Sequence, residues 1–104
     1  MAGMFRPFRR KIMENKLSRA AEDAVIERAS EIFGDLICRF DGNQAFISAG
    51  ANDSRGRGSF EIITEQRGAF LDAMKGTGWK VAEEHASGPR GGRSSLFIRM
   101  EYSV

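Results

Sequence analysis

His85 is the single histidine of the chain, and Glu83 and Glu84 stand directly before it. On an extended backbone Glu83 shares a face with His85 and Glu84 points the other way. A carboxylate beside an imidazole can orient it as a general base. Arg90 adds a cation further along, so Glu83, His85 and Arg90 outline a small-ligand or enzyme reading. Against it stands a plainer one, a solvated strand end, because tuned acid–base groups need burial as well as a neighbour. Cys38 is the only cysteine and has no histidine near it in sequence. It shares a strand face with Leu36 and Phe40, which suits a small buried filler better than a nucleophile. Asp41, Asn43 and Asp53 do not follow the spacing of a calcium loop, and one histidine with one cysteine cannot build a zinc site unaided. No catalytic residue, metal or cofactor is therefore assigned.

Two loops carry arginine among glycines. Gly50-Ala-Asn-Asp-Ser-Arg-Gly-Arg-Gly58 holds Arg55 and Arg57, and Ser87 to Arg93 holds Arg90 and Arg93. The second invites comparison with phosphate-binding loops, but a Walker loop needs four residues between its glycines and then Gly-Lys-Ser/Thr opening a helix. The spacing fails and lysine is absent. Its GXXG pattern would serve as a nucleic-acid clamp only between two helices, and strands flank it here. The lone Gly-x-Gly of the first loop sits between strands, which excludes the dinucleotide fingerprint. Flexible turn chemistry accounts for the Ser87–Arg93 loop, with phosphate contact by Arg90 and Arg93 outside any named motif as the alternative.

The strongest functional signal is charge. Residues 1–19 carry six basic side chains against Glu14, a balance of +5, and residues 20–104 carry ten basic and thirteen acidic ones, a balance of −3; together they give the net +2. A basic arm precedes a mildly acidic body. Phe5, Arg6, Phe8, Arg9, Arg10 and Lys11 mix cations that neutralise phosphates with rings that stack on bases or anchor in a protein pocket. The competing reading packs Phe5, Phe8 and Ile12 on the chain's own domain or on a subunit partner.

The elements follow from periodicity. A helix with a broad apolar face (Leu17, Ala21, Ala24, Val25, Ile32 and the neighbouring Ile26, Ala29, Phe33) runs to Gly34, beginning near Pro7 or near Asn15. Leu36–Phe40 and Gln44–Ser48 form a hairpin about Asp41-Gly42-Asn43. Ser59–Thr64 alternates as a third strand. Thr64 then opens a helix whose stripe is Phe70, Leu71 and Met74, stopped at Gly76 and Gly78. Trp79–Glu84 and Leu96–Tyr102 complete the set, with Leu96, Ile98, Met100 and Tyr102 facing a core. The expected fold is α+β, one small domain in the order α-β-β-β-α-β-β, with a mainly antiparallel sheet and both helices on one face. Residues 1–14 form a basic arm or helix extension and 15–104 the domain. That order resembles the opening elements of double-stranded-RNA-binding domains, but Thr64-Glu-Gln-Arg-Gly68 lacks the basic cluster such a second helix needs. With a helix returning the chain for a parallel partner, the two Arg-Gly loops should lie at opposite ends of the sheet.

At 104 residues the chain supports one modest core. One cysteine allows no internal disulfide, no apolar run approaches a membrane span, and no signal peptide is evident. The expected location is a cytoplasm, bacterial or that of an infected host cell. The expected function is a non-enzymatic interaction module, a small accessory or inhibitor protein of the kind phages and mobile elements encode, docking on a larger protein or nucleoprotein complex. Its candidate partner-binding residues are Phe5, Arg6, Phe8, Arg9, Arg10, Lys11, Arg55, Arg57, Arg90 and Arg93. Direct nucleic-acid binding through the arm is the first alternative and the small-ligand or enzyme reading the second; a homodimer stays open.

Overall fold

The computed structural model describes residues 18–103. Six elements follow in order: α1 (Arg19–Ile32), β1 (Asp35–Asp41), β2 (Gln44–Asn52), α2 (Ser59–Ala73), β3 (Trp79–Arg90) and β4 (Arg93–Tyr102). They make an α+β domain with one antiparallel sheet in the spatial order β1-β2-β4-β3. No helix among the described residues is long and apolar enough to cross a membrane.

Helix α1 begins at Ser18, whose hydroxyl accepts the Ala21 N–H, leaving one orphan donor fewer at the helix start. Ala21, Val25, Ala29 and Phe33 recur at four-residue spacing and are buried. Three contacts fix the helix layer. Phe33 packs on Phe70 with ring centroids 5.5 Å apart. The Trp79 indole N–H donates to the Ala21 carbonyl at 2.9 Å, so the largest ring of the core is also satisfied. The Arg28 side chain donates to the Ala73 carbonyl at 2.9 Å and ties α1 to the end of α2.

The segment Ser59–Thr64 corrects the expected third strand: it is the opening of α2. A helical period of four explains it better than alternation, because Ser59, Ile63, Phe70 and Met74 form one buried stripe while Phe60 is 40% exposed. A side chain outside the helix completes its start. The Asp53 carboxylate accepts the Ser59 N–H at 2.7 Å, because the residue at the cap position, Gly58, has no side chain to do so. The order is therefore α-β-β-α-β-β.

Losing that strand also reverses the expected placement of the loops. Strands β2 and β4 pair antiparallel with Asn52 opposite Arg93, and the Asp53 N–H donates to the Gly92 carbonyl at 2.8 Å. The two Arg-Gly loops meet at one end of the sheet, away from the Gly42-Asn43 turn. Much of the expected loop sequence is strand: β2 runs to Asn52, β3 to Arg90, and only Gly91-Gly92 turns the second hairpin.

Inward positions of the sheet make the core. Ala45, Ile47 and Ala49 from β2 and Leu96, Ile98 and Met100 from β4 are buried under the helices, with Leu36, Cys38, Phe40 and Tyr102 packed at the margin. Large fully buried side chains come from both strands and from the helix: Ile47 from β2, Ile98 and Met100 from β4, and Ile63 and Phe70 from α2.

Candidate functional site: the open face of the sheet

Both helices cover one face, so the other is left to solvent among the described residues. Strand alternation dictates what stands there. One row across the sheet reads Ile37, Ser48, Phe97, His85, and the next reads Arg39, Phe46, Arg99, Glu83. Within these rows a diagonal of flat groups crosses all four strands. The Arg39 guanidinium lies 5.9 Å from the Phe46 ring centre. Phe46 and Phe97 are 6.5 Å apart, and Phe97 and His85 are stacked at 6.4 Å. Phe46 and Phe97 are half-buried by their neighbours, while Ile37 is 64% exposed. Apolar and π surface therefore meets solvent at the centre of the sheet.

The stripe is flanked by paired charge. Glu83 accepts from His85 at 3.0 Å and from Arg99 at 3.2 Å, and Arg99 also donates to Glu101 at 3.0 Å. The bonds from His85 and then Arg99 hold the Glu83 carboxyl below the usual carboxylate range. Beside the stripe lies an open depression of about 410 Å³, lined by Ile37, Ser48, His85, Ser95, Phe97 and Arg93 among others. Its floor exists because of Gly50. The Arg93 side chain lies across that glycine to reach the Asp35 carboxylate and the Asn52 side chain, and a β-carbon at position 50 would stand 2.3 Å from a guanidinium nitrogen. Strands β4, β2 and β1 are thus bridged by one side chain.

The expected site residues separate in space. Phe5, Arg6, Phe8, Arg9, Arg10 and Lys11 lie outside the described residues. Arg57, in the loop before α2, pairs with Glu61 and Glu65 of that helix. Arg55 is exposed on the first loop, in a left-handed backbone conformation with φ 51°. Arg90 is exposed at the end of β3, and Arg93 is committed to Asp35. Glu83 and His85 do meet, with 69% of the imidazole side chain in solvent. Arg90 pairs with Arg93 and His85 with Phe97, four positions apart on β4, which puts them roughly 13 Å from each other along the sheet at the usual rise per residue. The triad of Glu83, His85 and Arg90 is not one site.

Cys38 lies on the inner face of β1, as its spacing with Leu36 and Phe40 requires. Burial, helped by Glu22, pushes its thiol up to about 11, which keeps it from being a nucleophile at neutral pH. Arg39, Phe46, Phe97 and Arg99 were not among the expected site residues. Their signal is the alternation itself: a phenylalanine at an outward position on each of two paired strands. Comparison with protein-family models, with curated proteins and with solved structures returned no match.

Proposed function

We propose that this protein is a non-enzymatic interaction module that docks on a larger protein, alone or within a nucleoprotein complex, through the open face of its sheet. One observation carries the reading: the diagonal Arg39–Phe46–Phe97–His85, which no described element covers. Aromatic and arginine side chains at the middle of a patch with mixed charge at its rim suit a protein surface. A polyanion suits it less. Two of the four arginines that the strand register puts on this face (Arg39, Arg90, Arg93 and Arg99), namely Arg93 and Arg99, already hold carboxylates. Such pairs release few counterions on meeting phosphate. The basic arm adds attraction to an acidic partner and steers its approach.

The test uses tagged full-length chain as bait in extract of its source cell, with and without nuclease, beside a Phe97→Ser variant checked by its melt to be folded. A protein retained after nuclease treatment and lost with Phe97→Ser supports the reading. Equal recovery by the variant sinks the open face as the docking surface, and recovery abolished by nuclease transfers the function to nucleic-acid binding.

A further inference from the structure

The sheet has two edges, and they are not alike. Edge strand β3 carries two register shifts, between Val81 and Glu83 and between Ser87 and Arg90, with Lys80 and Pro89 on the same strand. Bulges, lysine and proline are the devices that keep an edge from pairing with another chain. Edge strand β1 has no bulge, lysine or proline, and its charges, Asp35, Arg39 and Asp41, all stand on the open face. It is regular over seven consecutive pairs with β2, and it presents Ile37, the most exposed large apolar side chain of the described residues.

Backbone parity fixes which groups are free. The two-residue turn at Gly42-Asn43, with Gly42 at φ 61°, makes Asp41 and Gln44 the closing hydrogen-bonded pair. By alternation Arg39, Ile37 and Asp35 also bond β2, so Leu36, Cys38 and Phe40 point their N–H and C=O groups outward.

We propose that this edge pairs with the same edge of a second copy of the chain, antiparallel about Ile37, to give one continuous eight-stranded sheet. The sequence Asp35-Leu-Ile-Cys-Arg39 is self-complementary in that register. Ile37 meets the partner's Ile37, Asp35 meets the partner's Arg39, and Leu36 meets the partner's Cys38 as the bonded pair. About four backbone hydrogen bonds form between Leu36 and Cys38 of the two copies by the antiparallel pattern. Sliding by one residue would oppose free to occupied backbone groups. Sliding by two, about Cys38, would set Asp35 against the partner's Asp41, and like charges directly opposite are unfavourable. Arg39 is available for the exchange: no carboxylate lies within ion-pair distance of it among the described residues, and it leaves the Phe46 ring by a rotamer change of an exposed side chain. Asp35 keeps one oxygen for Arg93. Two open faces joined this way would present the aromatic stripe twice, which raises avidity for any partner with repeated sites.

Sedimentation of the full chain over a dilution series tests the proposal. Wild type should sediment at twice 11.5 kDa and Ile37→Lys at 11.5 kDa. With most of the Ile37 side chain in solvent, that variant should keep the wild-type melt at a dilution where both are monomers. Ile37→Cys in a Cys38→Ser background should form a disulfide-linked dimer under mild oxidation, because the two positions face each other across the two-fold axis. A wild-type monomer at every dilution overturns the proposal and leaves the edge to an extended peptide. A dimer that survives Ile37→Lys overturns it too, and its loss with Phe97→Ser would put the contact on the open face instead.

Discussion

Ser59 and Ser94 are the two fully buried polar residues among the described residues, and their hydroxyls share one hydrogen bond of 2.7 Å. Each satisfies the other where the first turn of α2 meets β4. Ser59→Ala or Ser94→Ala alone strands a buried hydroxyl and should lower unfolding free energy by about 1–3 kcal/mol. The double variant removes both polar groups and should cost clearly less than the sum of the singles. A four-corner denaturation cycle measures this, and additive losses would mean the pair is not coupled. Nothing in the sequence announced the pair, since a serine thirty-five positions from another carries no periodic signal. Cys38 was legible, because its neighbours two residues away on either side are apolar.

At the scale of elements, the helix–sheet joint rests on Arg67 of α2, which clamps Glu84 of β3 with both ends of its guanidinium, one bond being 2.9 Å. That clamp holds the Glu84 carboxyl below its ordinary value of 4.5. A carboxyl lowered in the folded state stabilises it above the unfolded pKa, and the contribution is lost as pH falls through the folded value. Arg67→Met should therefore lower the urea midpoint by more at about pH 7 than at about pH 3. Both side chains are over a third or close to a third exposed, so solvent screens the effect to a modest size. Equal losses at both pH values would assign Arg67 to packing alone. The same helix shows where sequence reading failed. Ser59-Phe-Glu-Ile-Ile-Thr64 is rich in β-formers and alternates, yet the Asp53 carboxylate six residues upstream caps it into a helix. That contact belongs to tertiary structure, and no local pattern records it. The final strand succeeded because Leu96, Ile98, Met100 and Tyr102 lie on one face in any register. Mistaking one strand then sent the two Arg-Gly loops to opposite sheet ends, although Asp53 and Gly92 touch.

For the whole molecule, charge decides how an anionic or acidic partner is met. The sequence places +5 in residues 1–19 and −3 in the remainder, so any long-range attraction to phosphate must come from the arm. Helix α1 is the acidic side of the body, with Glu22, Asp23, Glu27 and Glu31 on it, whereas the open face alternates arginine with carboxylate. This separation makes one variant decisive between the two classes of partner. Replacing Arg9, Arg10 and Lys11 together by alanine removes three cations and changes no residue of a strand. Were phosphates the target, the slope of log affinity against log salt should fall by roughly 2–3, since each contact contributes about 0.7–0.9. On a protein partner docked at Phe46 and Phe97, the main effect should be slower association at low salt, with dissociation nearly unchanged. Kinetic binding measured across a salt series, once the partner is in hand, separates these outcomes. Unchanged rates at every ionic strength would remove the arm from recognition altogether and leave the aromatic face to act alone.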